Sequence, residues 1–288
     1  MLDRYNTAVL LGLFDSVHLG HLKTLDALKD TGAKRKIVYT FKLSGVDTKG
    51  KRVPLISDGQ KEALLLAAGA DEVISENFSD VRNLSPEEFV DDILIHKLGA
   101  DTVLCGENFR FGRYAAGDTH TLEWLCKERG VALKVIPLER LDGEVISTTR
   151  IRALLEVGDI ENANRLLARR YSVSGEIIHG NALGREMGIR TINLYYEGCL
   201  KDGVYATITN IDGKSYKSVT DIGFKPTVSD SGKRCCETHI LDFSCDSYGK
   251  TATVEFLEFY RDEKKFDNTE ELIETIKNDI NRRKGANK

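Results

Sequence analysis

Two histidines lie three residues apart in the stretch Gly12-Leu13-Phe14-Asp15-Ser16-Val17-His18-Leu19-Gly20-His21. The stretch follows an apolar run, Ala8–Leu11, that reads as a strand, and it precedes leucines at helical spacing. Backbone N–H groups at a helix start bind phosphate, and Gly20 allows a triphosphate to approach the backbone closely. Imidazole donors at such a turn stabilise charge on an α-phosphate and on departing pyrophosphate. Nucleotidyl transfer requires that stabilisation more than it requires a covalent nucleophile.

Two further stretches bear chemistry beside this one. Ile146-Ser147-Thr148-Thr149-Arg150-Ile151-Arg152 places hydroxyls at a helix start with arginine within a turn, which predicts a second anion site. Cys105-Gly106-Glu107-Asn108-Phe109-Arg110-Phe111-Gly112 follows a strand and carries two aromatic residues between glycines, suited to wall a planar ring. The structural alternatives are a capped helix with solvated arginines for the former and core aromatics for the latter.

The elements that position these motifs differ between the two halves of the chain. In the first half, short apolar strands alternate with helical periods at about 58–68, 86–98 and 118–129, which predicts a parallel sheet. A helical stretch at 151–170 follows, broken near Gly158-Asp159. From Tyr171 to about Tyr260 the segments are short, β-branched and rich in glycine. We expect a compact antiparallel barrel there, with turns at Ser174-Gly175, Asp202-Gly203, Asp212-Gly213 and Tyr248-Gly249, and one closing amphipathic helix after Asn268. The predicted domains are 1–170 and 171–288.

Composition excludes several classes of function. The 288 residues contain 41 Lys and Arg against 45 Asp and Glu, so a sequence-independent grip on nucleic acid is not expected. No apolar run approaches the length of a membrane span, and the first residues lack the apolar core of a secretory signal. The six cysteines form no CxxC pair, so free thiols in the reducing cytoplasm are predicted.

Taken together, the motifs closely resemble those of the bacterial FAD synthases, the bifunctional riboflavin kinase/FMN adenylyltransferase family. The resemblance runs along nearly the whole chain, through GLFDSVHLGH, LSPEEFV, GENFRFG, ISTTRIR, GDIENANRLLARRYSVSGEIIHG, GREMGIRTINL, GVYA, DIGFKPT and RDEKKF. It implies an α/β nucleotidyltransferase domain with a Rossmann-like parallel sheet, followed by a riboflavin-kinase-like antiparallel β-barrel with a C-terminal helix. A class I aminoacyl-tRNA synthetase resembles only the first motif and would bring a KMSKS-like loop, which is absent.

The resemblance implies two activities. The first domain would transfer AMP from ATP to FMN, and the barrel would phosphorylate riboflavin, with Mg²⁺ as cofactor and these small molecules as the partners. His18, His21 and Glu237 are the implied catalytic residues, with Glu237 as the general base of the kinase. The remaining implied residues are, for ATP and phosphate, Gly12, Phe14, Asp15, Gly20, Ser147, Thr149 and Arg152; for flavin, Asn108, Phe109 and Arg110; and for the metal, Thr191 and Asn193.

Three departures from the family pattern bear on these roles. Arg190 occupies the place of the proline in the Pro-Thr-x-Asn motif, where proline would fix φ and remove a donor. Asp221 replaces an asparagine commonly found before Gly-x-x-Pro-Thr, and Lys42-Leu43-Ser44-Gly45 replaces the common Asp-Pro-His-Pro. A bifunctional enzyme and a chain that only adenylylates FMN therefore both remain open.

Two remoter alternatives differ in class. A cytidylyltransferase acting on a phosphorylated alcohol would share the first two motifs, but it would not carry a riboflavin-kinase-like barrel. A non-catalytic regulator would bind flavin and leave ATP unconsumed. The intact histidines and the Ser-Thr-Arg motif argue against this alternative.

Overall fold

The computed structural model describes residues 6–43, 53–178, 189–224, 234–243 and 247–286. The chain forms two compact units, Met1–Thr148 and Thr149–Lys288. The helical stretch 151–170 falls in the second of these units. A domain boundary near residue 170 stays a prediction from the sequence.

The first unit is built on a five-stranded parallel sheet with strand order β3-β2-β1-β4-β5. Both faces of β1 are buried, which explains its unbroken apolar sequence. Ala8 and Leu10 pack on one side of the sheet, and Val9 and Leu11 pack on the other. The strands are β1 Thr7–Leu11, β2 Arg35–Phe41, β3 Glu72–Glu76, β4 Thr102–Gly106 and β5 Ala132–Ile136.

Helices cover both sides of this sheet. Helices α1 and α2 pack on the side of Leu10, and a π-helical segment and α5 pack on the side of Val9. The π-helical segment lies within the helical period predicted at 86–98, and the Leu98 N–H reaches back five residues to the Ile93 carbonyl. The elements are α1 Leu19–Lys29, α2 Asp58–Ala67, α3 Phe78–Val81, α4 Pro86–Glu88, the π-helical segment Phe89–Lys97, a 3₁₀ turn Arg113–Ala115, α5 Thr119–Glu128, and a small ribbon of β6 Arg140–Leu141 and β7 Glu144–Val145.

The second unit combines two helices, a six-stranded antiparallel barrel and a closing helix. The strand order is β8-β13-β10-β11-β12-β9. The two outer strands meet at the seam, where the Ile178 N–H donates to the Asn193 carbonyl at 2.9 Å. The elements are α6 Thr148–Glu156, α7 Ile160–Leu167, β8 Ser172–Glu176, β9 Thr191–Tyr195, β10 Gly203–Ile211, β11 Lys214–Phe224, β12 Arg234–Ile240, β13 Thr251–Arg261 and α8 Thr269–Gly285.

Opposite faces of the central barrel strands have different neighbours. On one face Thr207, Ser218 and Thr220 form a buried network of hydroxyl hydrogen bonds, which satisfies polar groups that water cannot reach. On the other face Val204 and Val219 pack against Ile280 of α8. Every second residue of these strands therefore has a defined environment.

The predicted fold class is confirmed: a parallel α/β unit is followed by an antiparallel barrel and a C-terminal helix. The turn prediction at Asp212-Gly213 is correct, since both residues have positive φ, 50° and 73°, between β10 and β11. The turn prediction at Ser174-Gly175 is wrong, because both residues lie inside β8. A Cβ on Gly175 would lie 3.9 Å from the Leu194 Cβ, so this glycine sits where β8 approaches β9.

Two further findings concern the cysteines and the helices. The five cysteines within the described residues are free thiols. No helix in the described part of the chain is both long and apolar enough to cross a membrane.

Candidate active site

The turn between β1 and α1 is held in a tight and strained conformation. Phe14 and Val17 have φ of 53° and 43°, in the left-handed region that few non-glycine residues adopt. The buried Phe14 ring folds back over Gly12, where a Cβ would lie only 2.7 Å from it. Such strain persists only when the surroundings fix it, and it is typical of functional sites.

His18 and His21 form a reciprocal cap at the start of α1. The His21 N–H donates to Nδ1 of His18 at 3.2 Å, and the His18 N–H donates to Nδ1 of His21 at 3.4 Å. The two rings stack with centroids 3.7 Å apart and planes 7° from parallel. Gly20 leaves room for this arrangement, since a Cβ there would lie 3.1 Å from Cε1 of His18.

This geometry fixes the tautomer that each ring adopts when it is neutral. Because each Nδ1 accepts a hydrogen bond, the ring proton of each neutral imidazole lies on Nε2. Burial, followed by the charge on His18, lowers the pKa of His21 well below its usual value. His21 is therefore neutral at pH 7, and its Nε2–H can donate to an anion without first gaining a proton.

A hydrogen-bond chain connects this turn to the Ser-Thr-Arg motif. The Thr148 hydroxyl donates to Oδ1 of Asp15 at 2.5 Å and lies 2.9 Å from Oγ of Ser16. Thr148 was not among the predicted site residues, although its neighbours Ser147 and Thr149 were. The sequence offered a signal, because Thr148 is a hydroxyl residue in the same motif.

The other predicted residues of this motif are divided between the two units. Ser147 lies in the first unit, directly before Thr148. Thr149 and Arg152 lie on α6 in the second unit. The roles of all three in phosphate binding stay predictions.

An aromatic cavity of about 270 Å³ lies at the carboxyl ends of β1, β2 and β4. In parallel sheets this edge, where the strand order reverses direction, is where ligands bind. Leu11 and Gly12 line one part of it, next to the histidine turn. The remaining lining residues are Tyr39, Phe41, Phe78, Val81, Arg82, Asn83, Phe89, Phe109, Arg110, Phe111, Gly112, Arg113, Tyr114 and Ala115.

Two of the three residues predicted for the flavin loop lie at this cavity. Phe109 and Arg110 line the cavity, whereas Asn108 is exposed and is not among the lining residues. The Phe109 ring stacks on the Phe111 ring, with centroids 5.7 Å apart and planes 13° from parallel. The cavity thus has the flat apolar walls that a planar ring system requires. The walls contributed by β2 were not predicted, because their sequence pattern is that of any buried strand.

A hydrogen-bonded tyrosine anchors the β2 side of this cavity. The Tyr39 hydroxyl donates to Oε2 of Glu76 at 2.8 Å, and Glu76 also pairs with Lys97. Burial and the Glu76 carboxylate raise the pKa of Tyr39 far above its usual value, so its phenol stays protonated. The ring is therefore fixed in position as a neutral hydrogen-bond donor.

Lys61 on α2 is a buried cation that was not among the predicted site residues. Its side chain has no exposed area; Nζ donates to the Phe41 carbonyl at 2.5 Å and lies 3.3 Å from Oδ1 of Asp58. Asp58 in turn accepts from the Leu43 N–H at 2.7 Å. These bonds fix the end of β2 up to Leu43. Ser44 and Gly45, the last two residues of the segment that differs from the family pattern Asp-Pro-His-Pro, lie outside the described residues. A signal was present, since Lys61 and Leu65 are four residues apart and share one helical face.

In the second unit, the predicted kinase residues share one face of the barrel. Asn193 on β9 pairs directly with Glu237 on β12, and Glu237 pairs with Asp221 on β11. Directly paired residues project to the same face of a sheet. The Thr191 hydroxyl donates to Oε1 of Glu237 at 2.9 Å, so three of the predicted residues lie together.

Arg190 does not prevent this arrangement. Its carbonyl accepts a hydrogen bond from Nδ1 of His239 at 2.8 Å, and the next residue, Thr191, begins β9 in register with His239. Asn193 is 7% exposed and accepts a weak bond from the Cys235 thiol, with Sγ 3.4 Å from Oδ1. The strand therefore forms without the proline.

The donor atoms at this face suit a hard cation only in part. Thr191 Oγ1, Asn193 Oδ1 and the Glu237 carboxylate are oxygen donors, as Mg²⁺ prefers. Within the described ranges, no cluster of three or more His, Cys, Asp and Glu side chains is arranged to hold a metal ion. The set thus fits Mg²⁺ that takes further oxygens from nucleotide phosphates, which is its usual manner of binding.

The first unit therefore has a nucleotidyltransferase-type fold with a histidine turn beside an aromatic cavity, and it is followed by an antiparallel barrel. Residues 2–150 match the family model described as FAD synthetase, and residues 167–286 match the one described as riboflavin kinase. The chain belongs to the family of bifunctional riboflavin kinase/FMN adenylyltransferases.

Individual relatives support this membership. A protein of that name from Pseudomonas fluorescens is 32% identical over 281 residues, which span 94% of this chain and 89% of the relative. Its namesake from Bacillus subtilis is 31% identical, over 96% of this chain and 91% of the relative. A crystal structure titled as a macrolide-efflux protein from Streptococcus pneumoniae superposes with a TM-score of 0.85 at 26% identity, covering 98% of this chain and 94% of that one.

Proposed function

We propose that this chain makes FAD in two steps, with each unit performing one of them. The barrel phosphorylates riboflavin to FMN, and the α/β unit transfers AMP from ATP to FMN. The observation that carries the proposal is the pair of stacked imidazoles at the start of α1, each accepting a hydrogen bond at Nδ1, next to a cavity with flat aromatic walls. The names of the relatives agree with both steps.

In the adenylyl transfer, a phosphate oxygen of FMN attacks the α-phosphorus of ATP, and the bond to the β-phosphate oxygen breaks. The flavin ring occupies the aromatic cavity, with Phe109 and Arg110 at its walls. The FMN phosphate then lies toward Gly12, and the Nε2–H groups of His18 and His21 donate to oxygens that gain charge as pyrophosphate departs. The neutral His21 suits this task, because no proton needs to move in the step.

The other residues predicted for the adenylyl transfer shape or extend the phosphate site. Phe14 and Asp15 hold the turn, Asp15 through Thr148, and Gly20 keeps the backbone accessible. We assign Ser147, Thr149 and Arg152 to the triphosphate on the strength of the motif. We assign Asn108 to the flavin loop on the same ground, as a residue outside the cavity wall.

In the kinase step, the ribityl hydroxyl of riboflavin attacks the γ-phosphorus of ATP, and ADP leaves. Glu237 accepts the hydroxyl proton, and the bond from Thr191 orients its carboxylate. Thr191 and Asn193 would hold Mg²⁺, which when bound neutralises charge on the β- and γ-phosphates. The formed Thr191–Glu237 bond favours an active barrel over a chain that only adenylylates FMN. We place both reactions in the cytoplasm, where ATP is available, and expect neither nucleic acid nor a membrane as partner.

A paired product assay tests this function. One tube receives riboflavin and the other FMN, both with ATP and magnesium, and the flavins are separated and counted. FAD from both tubes supports the hypothesis that the chain catalyses both reactions. FAD from the FMN tube alone would show that the barrel is silent, and FAD from neither would refute the proposal. His21→Ala and Glu237→Gln serve as reciprocal controls, each expected to stop one step only.

A further inference from the structure

One aromatic side chain at the rim of the cavity lies almost entirely in solvent. Tyr114 is 90% exposed, yet it is among the residues that line the aromatic cavity. The Arg113 guanidinium lies 5.2 Å from the centroid of its ring, over one face. The exposure leaves the opposite face of the ring open to a ligand.

The backbone that presents this ring is strained and rigidly held. Tyr114 and Ala115 have φ of 61° and 55°, two consecutive non-glycine residues in the left-handed region. Phe111 and Gly117 pair on both sides of the tip through two hydrogen bonds of 3.1 and 3.0 Å. The Arg113 N–H donates to the Leu84 carbonyl at 2.6 Å. The tip is thus a fixed support rather than a loose end of the loop.

The size of the cavity indicates where a ligand would meet this ring. Sites that enclose a whole small molecule have volumes of about 300–1,000 Å³, and this cavity has about 270 Å³. A planar ligand of several fused rings that enters between the aromatic walls therefore extends past the rim. Tyr114 lies at that rim, with an apolar face that water solvates poorly.

We infer that Tyr114 stacks on the isoalloxazine ring of the flavin substrate and closes the open side of the cavity. This inference rests on the proposed binding of FMN in the first unit. Tyr114 is then a binding residue that favours extended fused-ring acceptors. Its contribution should fall on FMN affinity and not on ATP, whose phosphates bind at the histidine turn.

The test compares three variants of the 288-residue chain in FMN titrations followed by flavin fluorescence and equilibrium dialysis. Tyr114→Gly removes the ring and relieves the left-handed backbone, so we expect intact folding and FMN affinity about tenfold lower, the equivalent of one aromatic stack. Tyr114→Phe keeps a stacking surface and should retain the affinity. Trp124→Ala removes an aromatic that is 59% exposed on α5 and outside the cavity lining, and it should change nothing.

The fluorescence of bound FMN distinguishes stacking by Tyr114 from a purely structural role of this residue. The phenol of tyrosine quenches an excited flavin that it contacts, because an electron passes from the phenol to the flavin and then back again. The benzene ring of phenylalanine does not quench flavin in this way. Bound FMN should therefore be brighter in both Tyr114→Gly and Tyr114→Phe, while affinity falls only in the former. KM for ATP in FAD formation should stay unchanged in both.

The possible failures are distinguishable. If the wild-type chain forms no FAD from supplied FMN and ATP, the proposed flavin site itself is refuted. If it does form FAD, but Tyr114→Gly matches it in FMN affinity and in the brightness of bound FMN, only the role of Tyr114 is overturned. A Tyr114→Gly variant that did not fold would leave the brightness of Tyr114→Phe to decide.

Discussion

Three substitutions of His21 separate its two roles, which are capping α1 and donating a hydrogen bond to phosphate. The chain itself supplies the design, because Gln60 in α2 and Glu88 in α4 occupy the same third helical position and accept from the N-cap N–H. His21→Gln and His21→Glu have the same shape, and both can keep this cap. Gln retains an N–H that can donate, while Glu has none. His21→Ala loses both the cap and the donor.

The structure sets the expected magnitudes. Losing one donor aimed at developing negative charge lowers the rate roughly 10²–10³-fold, or about 3–4 kcal/mol. Losing the capping side chain costs about 1 kcal/mol of stability, which lowers the melting temperature by roughly 2–4 °C in a unit of this size. The order of FAD formation rates should therefore be wild type, Gln, Ala and then Glu, whose charge also repels phosphate. The order of stability should place Ala below Gln and Glu.

The assay measures kcat for FAD formation from supplied FMN, with melting curves of each variant alongside. Riboflavin phosphorylation by the same samples is the internal control, since the barrel is unchanged. An Ala variant within about threefold of the wild-type rate would refute the donor role. Equal rates for the Gln and Glu variants would refute it as well, because they differ in the N–H at issue.

The remaining predictions concern pH, the kinase face and the metal. Because the pKa of His21 is lowered in the folded chain, the unfolded chain binds more protons below about pH 6.5. As the pH is lowered below that value, the free energy of unfolding should therefore decrease, by up to about 1.4 kcal/mol per pH unit. Denaturation of His21→Gln at pH 5–8 should lack this pH-dependent loss of stability. Glu237→Gln can still accept from Thr191, so it should fold normally while riboflavin phosphorylation slows about 10²–10⁴-fold; an unchanged rate would remove Glu237 as the base. Arg190→Pro should phosphorylate riboflavin within about threefold of wild type, because the Thr191–Glu237 bond forms without the proline, and a gain of more than tenfold would show that Arg190 impairs the site. Chelation by EDTA should stop phosphorylation and leave the melting curve unchanged, and continued turnover would exclude Mg²⁺ at Thr191 and Asn193.

Local patterns in the sequence predicted most of the elements, the histidine turn and the Ser-Thr-Arg motif. Hydrophobic period and turn residues act over a few neighbours, so β1, the helix start at His18 and the hairpin at Asp212-Gly213 were all readable from the chain. The histidine turn was predictable for the same reason, since its ligand groups lie within one stretch of the chain. The row of Thr191, Asn193 and Glu237 was accessible only through the resemblance to a family.

Tertiary structure alone decided which distant residues meet. The cavity forms because β1 lies between β2 and β4 in the sheet, so Tyr39, Phe89 and Phe109 converge at one edge from separate parts of the chain. Their sequence pattern is the same as that of core residues, because burial in a wall and burial in a core require the same side chains. What Lys61 and Gly175 contact is set by packing between elements that are far apart in the chain. Burial of Lys61 was therefore not predicted, and Gly175 was wrongly predicted to lie in a turn.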